Sequence, residues 1–211
     1  MAATIHVGVG GWDFDPWRGT FYPPGLAKAK QLAYLGTRLS ATEINATFYK
    51  LQTPELFERW GARVPDGFRF AIKASRFCTN RKDLGEAGEA IGRFCAQGFT
   101  KLGDKLGPIL WQLAPTKRFD ADELRAFFML LPPSRDGIAL RHALEVRHES
   151  FKCREFVAMA RAWAAGENPA GLDYVSDARA EAKLRDVFAF VISGAKLRNP
   201  AAAEALIGRL A

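Results

Sequence analysis

The chain has 211 residues, 48% of them hydrophobic, with 30 Lys and Arg against 23 Asp and Glu for a formal net charge of +7. This length and apolar content suit one domain with a sizeable core and exclude a disordered or fibrous chain. The positive balance favours anionic partners, although a charge of this size is also common on ordinary soluble domains.

Cys78, Cys95 and Cys153 are odd in number and far apart, with neither a CxxC pair nor a histidine at ligand spacing. That usage points to a reducing cytoplasm and to no metal site. No stretch approaches the roughly 20 consecutive apolar residues of a membrane span, and MAATIHVGVG lacks a charged segment followed by a long apolar run. A soluble, cytoplasmic protein without membrane contact is expected.

Short apolar or β-branched runs alternate with stretches of helical period, the pattern of βα units around a parallel sheet. Strands are expected at Ile5 to Val9, Thr42 to Asn45, Phe68 to Lys73, Ile109 to Leu113, Ala143 to Arg147 and Val187 to Ile192. After the second strand, Thr53-Pro54 offers a capping hydroxyl and an N1 proline ahead of Leu56, Phe57 and Trp60, and Gly61 ends that helix. Leu84, Ala87, Ile91, Phe94, Cys95 and Leu102 mark one buried stripe at three-to-four spacing. Asp120 and Glu123 form a capping-box-like pair before Leu124, Phe127, Phe128 and Leu131, with Pro132-Pro133 as the stop. Ser150 precedes a helix that turns Phe156, Val157, Ala160 and Trp163 inward, and Asn199-Pro200 opens the last helix, with Ala203, Leu206, Ile207 and Leu210 on its core face. From Ala164 to Asp186 the pattern fails, leaving Leu172 to Val175 as a weak strand. An eight-unit barrel takes about 250 residues. The expectation is therefore a single domain over 1–211 with a TIM-barrel-like (β/α) fold, incomplete at about six of eight units.

Ligands of such folds bind at the C-terminal strand ends, where this chain places Glu43, Asn45, Lys73, Gln112, Glu145, Arg147 and His148. Burying charges and amides in strands without partners is costly, so the set forms either a site or a network that ties strands together. Glu145 and Arg147 share a strand face, and a carboxylate beside a guanidinium stays ionised. His148, at the strand-to-loop junction, is the candidate proton shuttle; its alternative role is to cap or pin the loop. His6 and His142 are assigned to structure. Glu43 and Asn45 also share a face, with Lys73 in reach of Glu43 from the next strand. The candidate catalytic set is thus Glu43, Lys73, Glu145, Arg147 and His148.

Loops after the strands hold Arg76, Arg81, Lys82, Lys117, Arg118, Lys152, Arg154, Lys196 and Arg198, placing positive charge around one mouth. Lys196 and Arg198, ahead of the last helix, suit a phosphate at its N-terminus or form a solvated basic turn. Trp12, Trp17, Phe21 and Tyr22 crowd the loop after the first strand, either as a stacking surface or as a plug over the barrel. Candidate binding residues are Trp12, Asn45, Gln112, Lys196 and Arg198.

The segments GGWDFDPWRGTFYPPGL, TEINATFYKLQTPELFERW, FRFAIKASRF, KLGPILWQLAP and ALEVRHESF, in this order, resemble the YecE-like family, domain of unknown function 72, from residue 4 to about 163. The resemblance implies a TIM barrel and leaves the reaction and any cofactor open. It also exposes a departure. Family members continue from the fifth strand through one ending in an aspartate motif and another with a Tyr-x-Arg-Leu-like motif. Here ARAWAAG runs almost directly into VFAFVISGAKLRNPAAAEALIGRL, which resembles the family's last βα unit, so a deletion of the sixth and seventh units near 163–186 is expected. Three functions stay open: an enzyme for an anionic, phosphate-bearing or nucleic-acid-derived substrate, a non-catalytic nucleic-acid-binding module, or an inactive structural barrel. Oligomerisation would be one way to cover the open sheet edges.

Overall fold

The six main strands expected from the sequence form, and each lies parallel to its neighbours. The computed structural model describes residues 4–153, 186–192 and 195–210. Its main sheet contains β1 (Ile5–Gly10), β2 (Ala41–Ile44), β3 (Arg69–Lys73), β4 (Leu106–Gln112), β7 (His142–Glu145) and β8 (Val187–Val191). The order is β7-β4-β3-β2-β1-β8, that of a barrel wall in which the last unit returns beside the first. A two-stranded hairpin, β5 (Ser134–Arg135) and β6 (Ile138–Ala139), precedes β7. The expected junction at 163–186, the strand at 172–175 and the inward face Phe156, Val157, Ala160 and Trp163 lie outside the described residues, Asp186 excepted.

Register divides the sheet into two faces. Val9 pairs with Thr42 and Thr42 with Phe70, while Ile44 pairs with Ile72 and Ile72 with Ile109. These side chains are buried and belong to the layer beneath the helices. On the other face Gly10 pairs with Glu43, Lys73 with Leu110 and Gln112 with Glu145, so side-chain alternation sends the polar residues into the barrel. Two glycines let strands approach closely. A Cβ on Gly8 would stand 2.2 Å from the Ala41 carbonyl oxygen, and one on Gly107 would stand 2.7 Å from that of Phe70. Gly107 and Pro108 lie where the β3–β4 register shifts, the irregularity at which a strand proline is tolerated.

Among the described residues the α-helices are α1 (Gln31–Arg38), α2 (Ala46–Tyr49), α3 (Pro54–Gly61), α4 (Arg76–Thr79), α5 (Gly88–Cys95), α6 (Ala121–Met129) and α7 (Asn199–Leu210). Phe57, Trp60, Ile91, Phe94, Leu124, Phe127 and Ala203 are buried, as their periodicity requires. Four local expectations change. Thr53 occupies the N-cap of α3 with Pro54 behind it, yet its hydroxyl accepts no capping bond. Asp120 does cap α6, accepting the Glu123 N–H at 2.9 Å; Glu123 reaches instead to the Leu84 N–H and Lys117 Nζ, both at 2.7 Å. The stripe from Leu84 to Leu102 stays buried but runs through three short pieces, Leu84–Glu86, Gly88–Cys95 and Phe99–Lys105, the last set off by Gly98 at a φ of 89°. Leu210 is exposed rather than on the core face of α7.

The aromatic loop after β1 is mainly a plug. Trp17 and Tyr22 are buried, Tyr22 Oη donates to the Trp12 carbonyl at 2.6 Å, and Trp17 Nε1 donates to the Lys196 carbonyl at 2.9 Å. Aromatic rings packed edge to face supply large buried area at such a junction. The indole of Trp17 thereby ties the first loop to the last unit.

Candidate functional site at the strand tips

The polar residues of the inner face form two groups, Gln112–Glu145–Arg147 and Glu43–Lys73, that act on each other through charge. Gln112 Nε2 donates to Glu145 Oε2 at 2.6 Å and Arg147 Nε to Glu145 Oε1 at 2.7 Å. Burial opposes ionisation of Glu145, but these two bonds and the charges of Arg147 and Lys73 outweigh it and hold the carboxyl below its ordinary range. With both oxygens engaged and ionisation favoured, Glu145 is a fixed acceptor rather than a proton donor.

Glu43 stands in the opposite condition. It is 2% exposed, with Lys73 Nζ 4.0 Å from Oε1. Burial pushes its carboxyl up, Lys73 pulls it down, Glu145 raises it, and Asn45 and Arg147 lower it; the net displacement is upward. Lys73 also lies 5.2 Å from the centre of the Phe48 ring. The two carboxyls are thus displaced in opposite directions, Glu43 by burial and Glu145 by its two hydrogen bonds and neighbouring cations.

Sequence reasoning offered His148 either proton transfer or loop pinning, and its geometry matches the second. Its Nδ1 accepts the Ser150 N–H at 3.1 Å and lies 2.9 Å from Ser150 Oγ, capping the turn Glu149–Phe151. His142 is structural, as expected: Nδ1 accepts from Trp111 Nε1 at 3.0 Å and Nε2 contacts the Pro132 carbonyl at 2.9 Å. His6 is buried in the sheet and stacks on Phe188 at 4.9 Å.

A cleft of about 450 Å³ opens at the tips of β1, β2 and β8. It brings together Trp12, Asn45 and Lys196 from the expected binding set and adds Asp13, Tyr49 and Asn199. Gly11, at a φ of 76°, turns the chain at its edge in a conformation that glycine adopts without strain. Asn45 lines the cleft two residues beyond Glu43, and its amide favours the ionised form of the Glu43 carboxyl. Gln112, Glu145, Arg147 and His148 do not line the cleft, and Arg198 is exposed outside it. Lys117 is not a free cation of the mouth, because it is paired with Glu123 at 2.7 Å. Among the described residues, no three His, Cys, Asp or Glu side chains are grouped as metal ligands, and no helix is long and apolar enough to cross a membrane.

Sequence reasoning does not single out the side chains of Asp13, Tyr49 or Asn199. Asn199 carries a signal, standing before a proline at the helix start beside Lys196 and Arg198, but that position marks a helix end and not a cleft side chain. Tyr49 lies within TEINATFYKL, where nothing separates an exposed aromatic from a packed one.

Among the described residues, six parallel strands in a partial barrel wall, with helices outside and a polar inner face at the strand tips, define an incomplete TIM-barrel-like α/β fold. The family model described as protein of unknown function DUF72 matches residues 6–170, and the chain belongs to that family. It is 32% identical over 79 residues to the UPF0759 protein YunF of Bacillus subtilis, a match spanning 37% of this chain and 27% of that protein's length. A DUF72 family protein from Thermotoga maritima superposes with a TM-score of 0.68 at 17% identity, covering 98% of each chain. Another from Enterococcus faecalis gives 0.60 at 14% identity, covering 98% of this chain and 95% of that one. At these identities the two structures establish the fold.

Proposed function

We propose that the cleft at the tips of β1, β2 and β8 binds a small anionic molecule carrying a phosphate or carboxylate group. The observation that carries this reading is Lys196. It lines the cleft and rests its ammonium 4.4 Å from the centre of the Phe14 ring, and it has no carboxylate partner among the described residues. Asn45 and Asn199 add amide groups to the cleft lining. Asn199 also begins α7, whose first N–H groups favour negative charge. Trp12 supplies an aromatic side for the rest of the ligand.

Glu43, next to the lining residue Ile44 in β2, is itself buried and does not line the cleft. In this reading Glu145, fixed by Gln112 and Arg147, orients the inner wall and Lys73 balances its charge. A thermal-shift titration with inorganic phosphate, sugar phosphates, nucleotides and dicarboxylates tests the binding step. A saturable rise is expected with at least one of them, and Lys196→Ala or Asn45→Ala should abolish it. At a ligand concentration about 100 times Kd the stabilisation amounts to about 2.7 kcal/mol. No shift with any of these anions, or shifts unchanged by both substitutions, would sink the proposal.

A further inference from the structure

Beside the cleft is a second depression of about 250 Å³, with Tyr49, Lys50, Leu51, Phe77 and Arg93 in its lining. Tyr49 lines both. Two of its rings stand unusually far out: Tyr49 is 65% and Phe77 59% exposed. Large apolar groups clustered in this way mark surfaces that meet a partner. The backbone that presents Phe77 and the ring of Tyr49 have fixed partners. Ser75 Oγ accepts the Phe77 N–H at 3.4 Å and Arg81 Nη1 donates to the Phe77 carbonyl at 3.3 Å, while Phe48 packs edge-on against Tyr49 at 5.1 Å.

The surrounding charge is positive. The Arg76 guanidinium lies 5.2 Å from the centre of the Phe77 ring. Lys50, Arg76 and Arg81 make no ion pair among the described residues, and Arg93 shares its charge with Glu89 at 3.0 Å. Tyr49 and Lys50 follow β2 while Phe77 and Arg76 follow β3, so all four lie on the strand-tip side of the barrel.

We propose that this groove binds single-stranded nucleic acid, with bases against Tyr49 and Phe77 and phosphates against Lys50, Arg76 and Arg93. Exposed rings interleaved with cations are what a single strand needs, because its unpaired bases offer flat faces at the spacing of its charges. A duplex hides those faces in its own stack, and an acidic peptide would use the cations while leaving the rings uncovered. The proposal rests on the exposed rings and not on the small-anion reading. Phe77 lies outside the cleft, so a failure of either can be told from a failure of the other.

The test is fluorescence anisotropy with a labelled oligothymidylate of about twelve nucleotides, from about 50 to about 200 mM salt. Saturable binding is expected, with Phe77→Ala and Tyr49→Ala each weakening it about tenfold and Phe77→Trp retaining it. Replacing Lys50 or Arg76 by Gln should lower the slope of log affinity against log salt by about 0.7 each. These side chains are exposed, and near-UV circular dichroism checks that each variant keeps its fold. Absence of binding at the lowest salt, equal affinity for an oligoglutamate of the same charge, or unchanged affinity in Phe77→Ala would overturn the proposal.

Discussion

Glu43 sets burial against charge. Its surroundings hold one cation at contact range, and its carboxyl is nevertheless displaced upward because so little water reaches it. A folded-state value above that of the unfolded chain means that the protonated form favours folding. This contribution is fully present below the ordinary value of 4.5 and is lost as pH rises through the raised value. Glu43→Gln mimics the protonated state. It should be more stable than the parent toward urea at about pH 7, with the difference vanishing near about pH 4. A less stable variant at neutral pH would show that the Lys73 pairing outweighs the cost of burial. Glu43, Lys73 and Glu145 were legible in the sequence because a charge within a β-branched run has few benign explanations. The opposite displacements of Glu43 and Glu145 were not, since they depend on which neighbour fills each lone pair. Tyr49 and Phe77 escaped for a related reason: aromatic residues in a packed-looking motif give no sign of their exposure.

Among the elements, the strands could be read because apolar runs bounded by glycine and proline leave little choice of conformation. The hairpin β5–β6 could not, because two-residue strands have no period. Its one signal was Asp136-Gly137, which adopts φ values of 50° and 76°, the pairing expected of a tight hairpin turn. Glycines separate the elements by tolerance. Gly8→Ala would drive a methyl into the Ala41 carbonyl, 2.2 Å away, and should cost about 3 kcal/mol or more by forcing β1 from β2. Gly92, inside α5 and exposed, has nothing within 4 Å of the position a Cβ would take. There Gly92→Ala should add about 0.5–1 kcal/mol through helix propensity alone. Urea denaturation of both variants checks the contrast; a tolerated Gly8→Ala would mean that the β1–β2 spacing is adjustable.

At the scale of the molecule, the question is whether the wall from β1 to β7 stands without the last unit. β8 pairs with β1 along five residues, from Ile5–Val187 to Val9–Val191, and α7 covers the adjoining surface with Ala203 buried and Leu206 and Ile207 partly so. Across the strand tips, Trp17 donates its indole N–H to the Lys196 carbonyl. A chain ending at Cys153 would leave β1 as a bare edge and the Trp17 donor buried without an acceptor. The second loss alone costs about 1–3 kcal/mol, against a total stability of about 5–15 kcal/mol for a domain of ordinary kind. Adding the lost ladder and the uncovered apolar surface, the shortened chain should show no cooperative thermal transition and little near-UV circular dichroism from Trp17. A sharp transition with native-like aromatic signal would instead mean that five strands form an autonomous unit and that the final βα unit is an addition serving the cleft through Lys196 and Asn199.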